Sequence, residues 1–440
     1  MELQIEKLVY GGDGLARLPA DAHGRGKTVF LPFVIPGERV EATVTESRSG
    51  FARARLNTVL TPSADRIAPQ CPYFGSCGGC QYQHIDYSAQ LRLKSEILRE
   101  TLRRTAKLEL DLEIELHASE PWNYRNRTRV RLQRDPAFAL GYFRNNSHQL
   151  LPVESCPISS PLVNQAIGAV WELGRTGGVP AAVHGMQFFA NHDDTRLLVE
   201  VYVRQESVAN DRKPFAESLM SKLPSIIGIV VFATSPVEDE TRQHAPLTSV
   251  HNEDSIAIGA DSLIYHAVGH DYRVSGGSFF QTNRYLVDDL VKVATRGANG
   301  KSALDLYAGV GLFTLTLAAS FDEVTAVEAS SHAFADLKHN VPRNVRPSRA
   351  TTEEFLQKRG EKLAVDFVLV DPPRAGLGDK AAAALCKMSA SQVTFVSCDP
   401  ATLSRDLRLL LESGFKVEQV HVFDLFPQTA HMETVMHLVR

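Results

Sequence analysis

The stretch Ser302-Ala303-Leu304-Asp305-Leu306-Tyr307-Ala308-Gly309-Val310-Gly311 decides the fold of this chain. Its first half reads as a short apolar strand carrying Asp305, and its second half as a glycine turn that lets a ligand approach the head of the next helix. About twenty residues on, a second strand, Glu323 to Val327, ends at Glu328, where an acid takes ribose hydroxyls in sheets of this kind. Asp366 to Val370 reads as a third strand, closed by Asp371-Pro372-Pro373-Arg374, whose prolines stiffen the exit. Val393 to Ser397 reads as a fourth, closed by Cys398. Ligands of open α/β sheets bind at the carboxyl ends of strands, and Asp305, Glu328, Asp371 and Cys398 all fall there. From about residue 285 onward the strand–helix alternation implies a mostly parallel α/β sheet. The glycine spacing is not the dinucleotide fingerprint. Together with Glu328 it favours S-adenosylmethionine over NAD, because the turn is shorter and that donor has no pyrophosphate to hold.

At 440 residues the chain is long for one core, and two or three domains are expected. Hydrophobic residues at 44% and charged residues at 22% describe an ordinary soluble protein. No apolar run reaches the roughly 18–20 residues that span a bilayer, so no membrane partner is expected. The start carries Glu2, Glu6 and Lys7 and lacks the layout of a signal peptide, which makes a cytoplasmic location the expectation. A net charge of −4 argues against a generic polyanion binder and leaves local basic faces open. Six cysteines in a reducing compartment point to metal or catalysis.

Residues 1–60 read as short strands forming a small β-barrel, a type that often binds RNA. Gly11, Gly12 and Gly14 mark one turn, and Gly24 and Gly26 another. Val29 to Leu31 and Phe33 to Ile35 form apolar runs broken by Pro32 and Pro36, followed by Glu41 to Val44 and Ala52 to Leu56. Residues 61–265 read as a central α+β domain that opens on a linker, 61–70. It contains a helix from Asp86 to Lys107, with Tyr87, Leu91, Ile97, Leu98 and Leu102 on one side. The rest of that helix carries Arg92, Lys94, Arg99, Arg103, Arg104 and Lys107. A strong strand follows at Thr195 to Val203. Residues 266–440 read as a Rossmann-like α/β domain that carries the expected donor site.

Two patterns in the central region carry chemistry. Cys71, Cys77 and Cys80, with Gly78 and Gly79 between, let the backbone curl so that thiolates face one point, and Cys156 is the natural fourth ligand. Four thiolates suit a [4Fe–4S] cluster or a zinc ion. The cluster is favoured, since only one short-spaced cysteine couple is present. Arg125, Arg127, Arg129 and Arg131 recur at period two, so in a strand they would share one face and could track an RNA backbone.

These residues together resemble the 5-methyluridine RNA methyltransferases over nearly the whole chain. The front resembles their TRAM domain, and Cys71, Cys77, Cys80 and Cys156 match the [4Fe–4S] ligands of the ribosomal-RNA members. Tyr124-Arg125-Asn126-Arg127 matches a stretch of the RNA-binding middle domain. Gln281, in Ser278-Phe279-Phe280-Gln281, matches a cofactor-site glutamine, Tyr307 and Glu328 match cofactor contacts, and Asp371 matches the Asp-Pro-Pro-Arg signature. Gly309 and Gly311 fall in the cofactor loop. Cys398 matches the nucleophile and Glu433 the base. Three positions depart: Ala308 stands where cysteine is common, Leu312 where asparagine is usual, and Thr351 where an acid is expected near the adenine.

The resemblance implies that the Cys398 thiolate adds to carbon 6 of a uracil, carbon 5 takes a methyl from S-adenosylmethionine, and Glu433 removes the carbon 5 proton. Asp371 and Gln281 would hold polar edges of the base. Cys386, in an alanine-rich helix, fits a buried structural thiol. The cluster-binding cysteines favour 23S ribosomal RNA as the substrate. Transfer RNA, or a non-catalytic RNA-binding or assembly role on the same fold, is the alternative. A DNA cytosine-5 methyltransferase would need a Pro-Cys loop and a Glu-Asn-Val partner, which this chain lacks. A monomer is expected.

Overall fold

The computed structural model describes residues 1–18, 26–204, 212–234 and 255–440, which leaves the turn expected at Gly24 outside the described residues. The front forms a six-stranded sheet from Glu2–Gln4, Lys7–Leu8, Asp13–Arg17, Thr28–Pro32, Arg39–Ser47 and Phe51–Thr61. Alternation in Arg39–Ser47 turns Val40 and Ala42 inward onto Leu3, Ile5, Val29 and Leu31. The run Phe33-Val34-Ile35 is not a strand. Phe33 turns the chain at φ 64°, and Val34 and Ile35 reach the core from the loop.

The helix expected at Asp86 to Lys107 spans Tyr87–Thr101, widens into a π-turn over Leu102–Ala106, and stops at Lys107 in the left-handed region. Asp86 caps it, its carboxylate accepting from Ser88 N at 3.0 Å. The buried face is Ala89, Gln90, Leu93, Lys94, Ile97 and Leu98. Lys94, placed above with the basic residues off the apolar side, is therefore a core residue. Its ammonium donates to Asp424 Oδ1 at 2.6 Å, and neither side chain is exposed.

An eight-stranded sheet carries the carboxyl-end residues. Its order is Val345–Arg349, Phe321–Glu328, Gly300–Leu306, Phe367–Val370, Gln392–Ser397, Glu433–Val439, Lys416–Phe423 and Ile114–His117. All neighbours pair in parallel except Glu433–Val439, which runs against both of its partners. Val345–Arg349 escaped the sequence reading because an edge strand interrupted by Pro347 lacks an apolar run. Two large apolar clusters cover the two faces, and one of them takes in Ala89, Leu93, Ile97, Leu98 and Ile114. The segment 87–117, assigned above to the central domain, thus packs with the catalytic sheet. The reason is physical: the helix buries its apolar face there, and its strand extends that sheet's edge.

The central sheet has seven strands in the order Leu150–Pro152, Ala139–Phe143, Arg127–Gln133, Val183–Ala190, Leu197–Arg204, Ile226–Thr234 and Ile256–Gly259. The helix Pro161–Arg175 covers one face. From the other, Phe189, Tyr202 and Phe232 pack with Tyr265, Tyr272 and Phe280, which joins this sheet to the catalytic core. Among the described residues, no helix is long and apolar enough to cross a membrane.

Candidate active site

Cys398 and Asp399 form the two-residue elbow between Gln392–Ser397 and the helix Pro400–Glu412. Asp399 fixes that elbow by capping the helix, its Oδ1 accepting from Ala401 N at 2.9 Å and Thr402 N at 3.0 Å. Register then brings in the second residue. Ser397 pairs with Thr434 in the antiparallel ladder, so the next position on each side sets Cys398 across from Glu433. Because Glu433 opens the one reversed strand, its carboxylate stands at the same sheet edge as the carboxyl ends of the parallel strands. Asp371 follows Phe367–Val370, the neighbour on the other side.

The charges of this corner are coupled. Burial pushes the Cys398 thiol well up, the carboxylates of Glu433 and Asp371 push it further, and the Arg374 guanidinium pulls it back. Burial and then Asp371 hold Glu433 well above the usual carboxylate range, with Arg374 opposing. Asp371 is raised to about 7, by burial and then by Asp305. The corner therefore resists holding several negative charges at once, while Cys398 keeps enough exposure to be reached.

Next to it lies the glycine loop. Tyr307, Gly309 and Gly311 take φ values of 63°, 56° and 98°, and for a tyrosine this left-handed conformation is strained. The Glu328 carboxylate braces the loop, accepting from Gly309 N at 2.9 Å and Ser330 N at 2.6 Å. An added Cβ at Gly309 would meet nothing within 4 Å, so the space above the loop is open. Asp305 is buried with Oδ1 unpartnered, and burial lifts it to about 7 although the Thr314 hydroxyl donates to it. An open cradle, a strand-end acid bracing it and a strained loop fit S-adenosylmethionine. Gln281 is buried nearby on a loop seated by Asn126, whose Nδ2 donates to the Gln281 carbonyl at 3.2 Å. The three departures have packing roles. Thr351 caps the helix Thr352–Arg359 in a capping box with Glu354, Leu312 is buried and accepts from Tyr272 through its carbonyl, and Ala308 is buried.

The arginine row does not form a phosphate track. Arg125 precedes the strand, its Nε donating to Arg127 O. Arg127 is buried, pairs with Glu200 at 3.3 Å, donates to Ser278 O at 2.7 Å and lies 4.4 Å from the Phe189 ring centre. Arg129 and Arg131 lie over the rings of Tyr202 and Phe143. Period two is the right geometry, but aromatic rings of the same sheet take the face expected for RNA. With Tyr124, whose hydroxyl donates to Pro427 O at 3.1 Å, the stretch 124–127 is a latch between domains.

None of the four clustered cysteines is in a disulfide, and each of Cys71, Cys77 and Cys80 feels the charge of Cys156. Burial, reinforced by neighbouring thiols, lifts Cys77 to about 11 and Cys80 to about 12. Three raised thiols that each feel the charge of Cys156 are what a cationic centre would relieve, so the donor set fits a metal or cluster. Cys386 is half-buried in apolar packing, its thiol donating to Leu409 O.

Sequence reading missed what holds the loop 424–432, which leads into Glu433. Gln428, at φ 69°, accepts through its carbonyl from Gln81 N at 3.1 Å and Tyr82 N at 2.9 Å, directly after Cys80. Its own backbone N donates to Gln90 Oε1 at 3.0 Å. From the front domain, the Tyr10 hydroxyl donates to Cys398 O at 3.3 Å. Gly12 fits between Gln81 and Ala430, where an added Cβ would lie 2.9 Å and 3.2 Å from theirs. The glycine turn was visible in sequence, but nothing local showed which loop it meets.

Comparison with known proteins adds the following. The profile for tRNA (Uracil-5-)-methyltransferase matches residues 86–440, and that for the TRAM domain matches residues 1–56. An uncharacterized RNA methyltransferase of Aquifex aeolicus is 32% identical over 444 residues, covering 99% of this chain and 97% of the relative. One from Streptomyces avermitilis is 32% identical over 459 residues, covering 99% and 96%. The crystal structure of the Pyrococcus abyssi tRNA (uracil-54, C5)-methyltransferase with S-adenosyl-L-homocysteine superposes with a TM-score of 0.75 at 22% identity, covering 100% of both chains.

Proposed function

This chain belongs to the tRNA (uracil-5-)-methyltransferase family and is an S-adenosylmethionine-dependent RNA (uracil-5-)-methyltransferase; we propose that it acts on a uridine of 23S ribosomal RNA through a covalent Cys398 adduct, with Glu433 as base. The observation that carries the mechanism is the antiparallel register setting Cys398 across from Glu433 beside Asp371.

In this reading the Cys398 thiolate forms a bond to carbon 6 of uracil, and the ring electrons move toward oxygen 4, which makes carbon 5 nucleophilic. Gly309, Gly311, Tyr307, Glu328 and Gln281 would hold S-adenosylmethionine, whose methyl–sulfur bond would break as carbon 5 takes the methyl group, leaving S-adenosylhomocysteine. Glu433 then accepts the carbon 5 proton, the carbon 5–carbon 6 double bond re-forms, and the Cys398 thiolate leaves. A carboxylate held in a buried corner binds a proton more tightly than one in water, which suits a base. Asp371 faces the polar edge of the base. The target uridine must leave any stack to reach this elbow.

Cys71, Cys77, Cys80 and Cys156 hold a [4Fe–4S] cluster in this reading, in a structural role. Ribosomal RNA is preferred because the cysteine set matches the cluster-bearing branch. Transfer RNA is the second reading, favoured by the similarity to the Pyrococcus abyssi enzyme, a tRNA (uracil-54, C5)-methyltransferase.

The test is to mix Glu433→Gln protein with RNA and donor and run denaturing gels. A covalent protein–RNA band that vanishes in Cys398→Ala is the expected result. No band, with Cys398→Ala still active, refutes the scheme. Anaerobically purified protein should be brown, and mapping 5-methyluridine in ribosomal and transfer RNA of a deletion strain decides the substrate.

A further inference from the structure

At the far edge of the eight-stranded sheet, three side chains that methyl transfer does not use meet on one face. Glu115 and His117 alternate along Ile114–His117, and the ladder pairs Glu115 with His421 of the adjoining strand. Glu115 Oε2 lies 3.2 Å from His421 Nδ1, and His117 Nε2 lies 3.2 Å from His421 Nδ1 and 3.7 Å from Glu115 Oε1. Ligands held tetrahedrally at about 2.0–2.1 Å from a zinc ion are separated by about 3.3–3.4 Å. The two 3.2 Å approaches to His421 Nδ1 are close to the edge of that tetrahedron, and the third, to the other carboxylate oxygen, is a little longer.

Proton accounting favours a cation there. The second nitrogen of His421, Nε2, lies 3.3 Å from Gln419 Oε1, an acceptor, so the ring proton belongs on Nε2 and Nδ1 is left as a bare lone pair. That lone pair faces both a carboxylate oxygen and the other imidazole. A proton on His117 Nε2 can bridge to His421, but the approach of His421 Nδ1 to Glu115 then has no proton in it. His117 is stacked flat on Phe423 at 4.0 Å, which fixes its ring. Arg296, half exposed, reaches Glu115 Oε2 at 3.7 Å and is the positive group a metal would displace.

We propose that Glu115, His117 and His421 bind a divalent transition metal, zinc foremost, with water as the fourth ligand. Bound there, the ion clips the four-residue strand Ile114–His117 to the sheet that it joins from outside. The clip ends where the base loop begins, since Asp424 N donates to His117 O at 3.0 Å.

The experiment measures zinc and iron together in the anaerobic holoenzyme by mass spectrometry, with cobalt(II) as a spectroscopic substitute. The expected result is a zinc equivalent in excess of the cysteine-held metal, and cobalt(II) spectra showing weak ligand-field bands without thiolate charge transfer. Glu115 is exposed, so Glu115→Gln keeps the fold and should weaken that zinc at least about tenfold, with His117→Ala doing the same. Cys80→Ser should leave it bound. Absence of any zinc outside the cysteine site, or unchanged affinity in both Glu115→Gln and His117→Ala, overturns the proposal.

Discussion

Lys94→Ala should destabilise this protein far more than a typical lysine replacement. The ammonium is fully buried, donates to Asp424 Oδ1 at 2.6 Å and to Phe426 O at 3.2 Å, and loses proton affinity to burial while Asp424 restores it. Asp424 is equally buried and its Oδ2 has no partner, so the truncation would strand a carboxylate out of water. Breaking one side of such a pair costs about 3–5 kcal/mol, whereas replacing both sides by apolar residues of similar volume is close to neutral. Lys94→Met combined with Asp424→Leu should therefore recover most of the loss. Urea unfolding of the full chain, followed by circular dichroism and thermal shift, reads the first transition in each variant. A loss under about 1 kcal/mol in Lys94→Ala, or a double variant as unstable as the single, would refute the buried-charge reasoning.

Further outcomes follow from other contacts. Tyr10→Phe removes the hydrogen bond to Cys398 O and should lower kcat about two- to tenfold, the equivalent of about 0.5–1.5 kcal/mol, with the KM for RNA nearly unchanged; a change confined to KM would make Tyr10 an RNA contact instead. Arg127→Ala should cost about 3–5 kcal/mol by stranding Glu200, and thermal unfolding against Arg131→Ala, which should cost much less, checks it. Asp305 is raised from 3.8 to about 7, so its folded form holds the proton more tightly. The stability this contributes is complete below about pH 4 and is lost as pH rises through about 7, at up to about 1.4 kcal/mol per pH unit. Asp305→Asn cannot titrate, and its stability relative to wild type should climb over that window in donor-free urea titrations; a flat difference would contradict the burial.

The carboxyl-end residues Asp305, Glu328, Asp371 and Cys398 were legible because each follows a short apolar run, a purely local signal. The pairing that delivers Glu433 to Cys398 was not, since the reversal of one strand depends on contacts across the sheet and leaves no trace in spacing. Arg127 and Lys94 misled for a related reason. A charge's partner decides whether it is solvated, and those partners are Glu200 and Asp424, 73 and 330 positions away. The segment 87–117 was placed by chain order, but the core it fills is that of the catalytic sheet.

The grip on Gln428 bears on how distant faults in the chain reach the Cys398 elbow. Its carbonyl and backbone N are taken by Gln81, Tyr82 and Gln90, and the neighbouring Pro427 carbonyl by Tyr124, all from the early part of the chain. The loop that leads into Glu433 therefore takes its shape from the front half of the chain. A packing fault at Gln81, Tyr82, Gln90 or Tyr124 would be felt, far away in sequence, as a misalignment of Glu433 with Cys398.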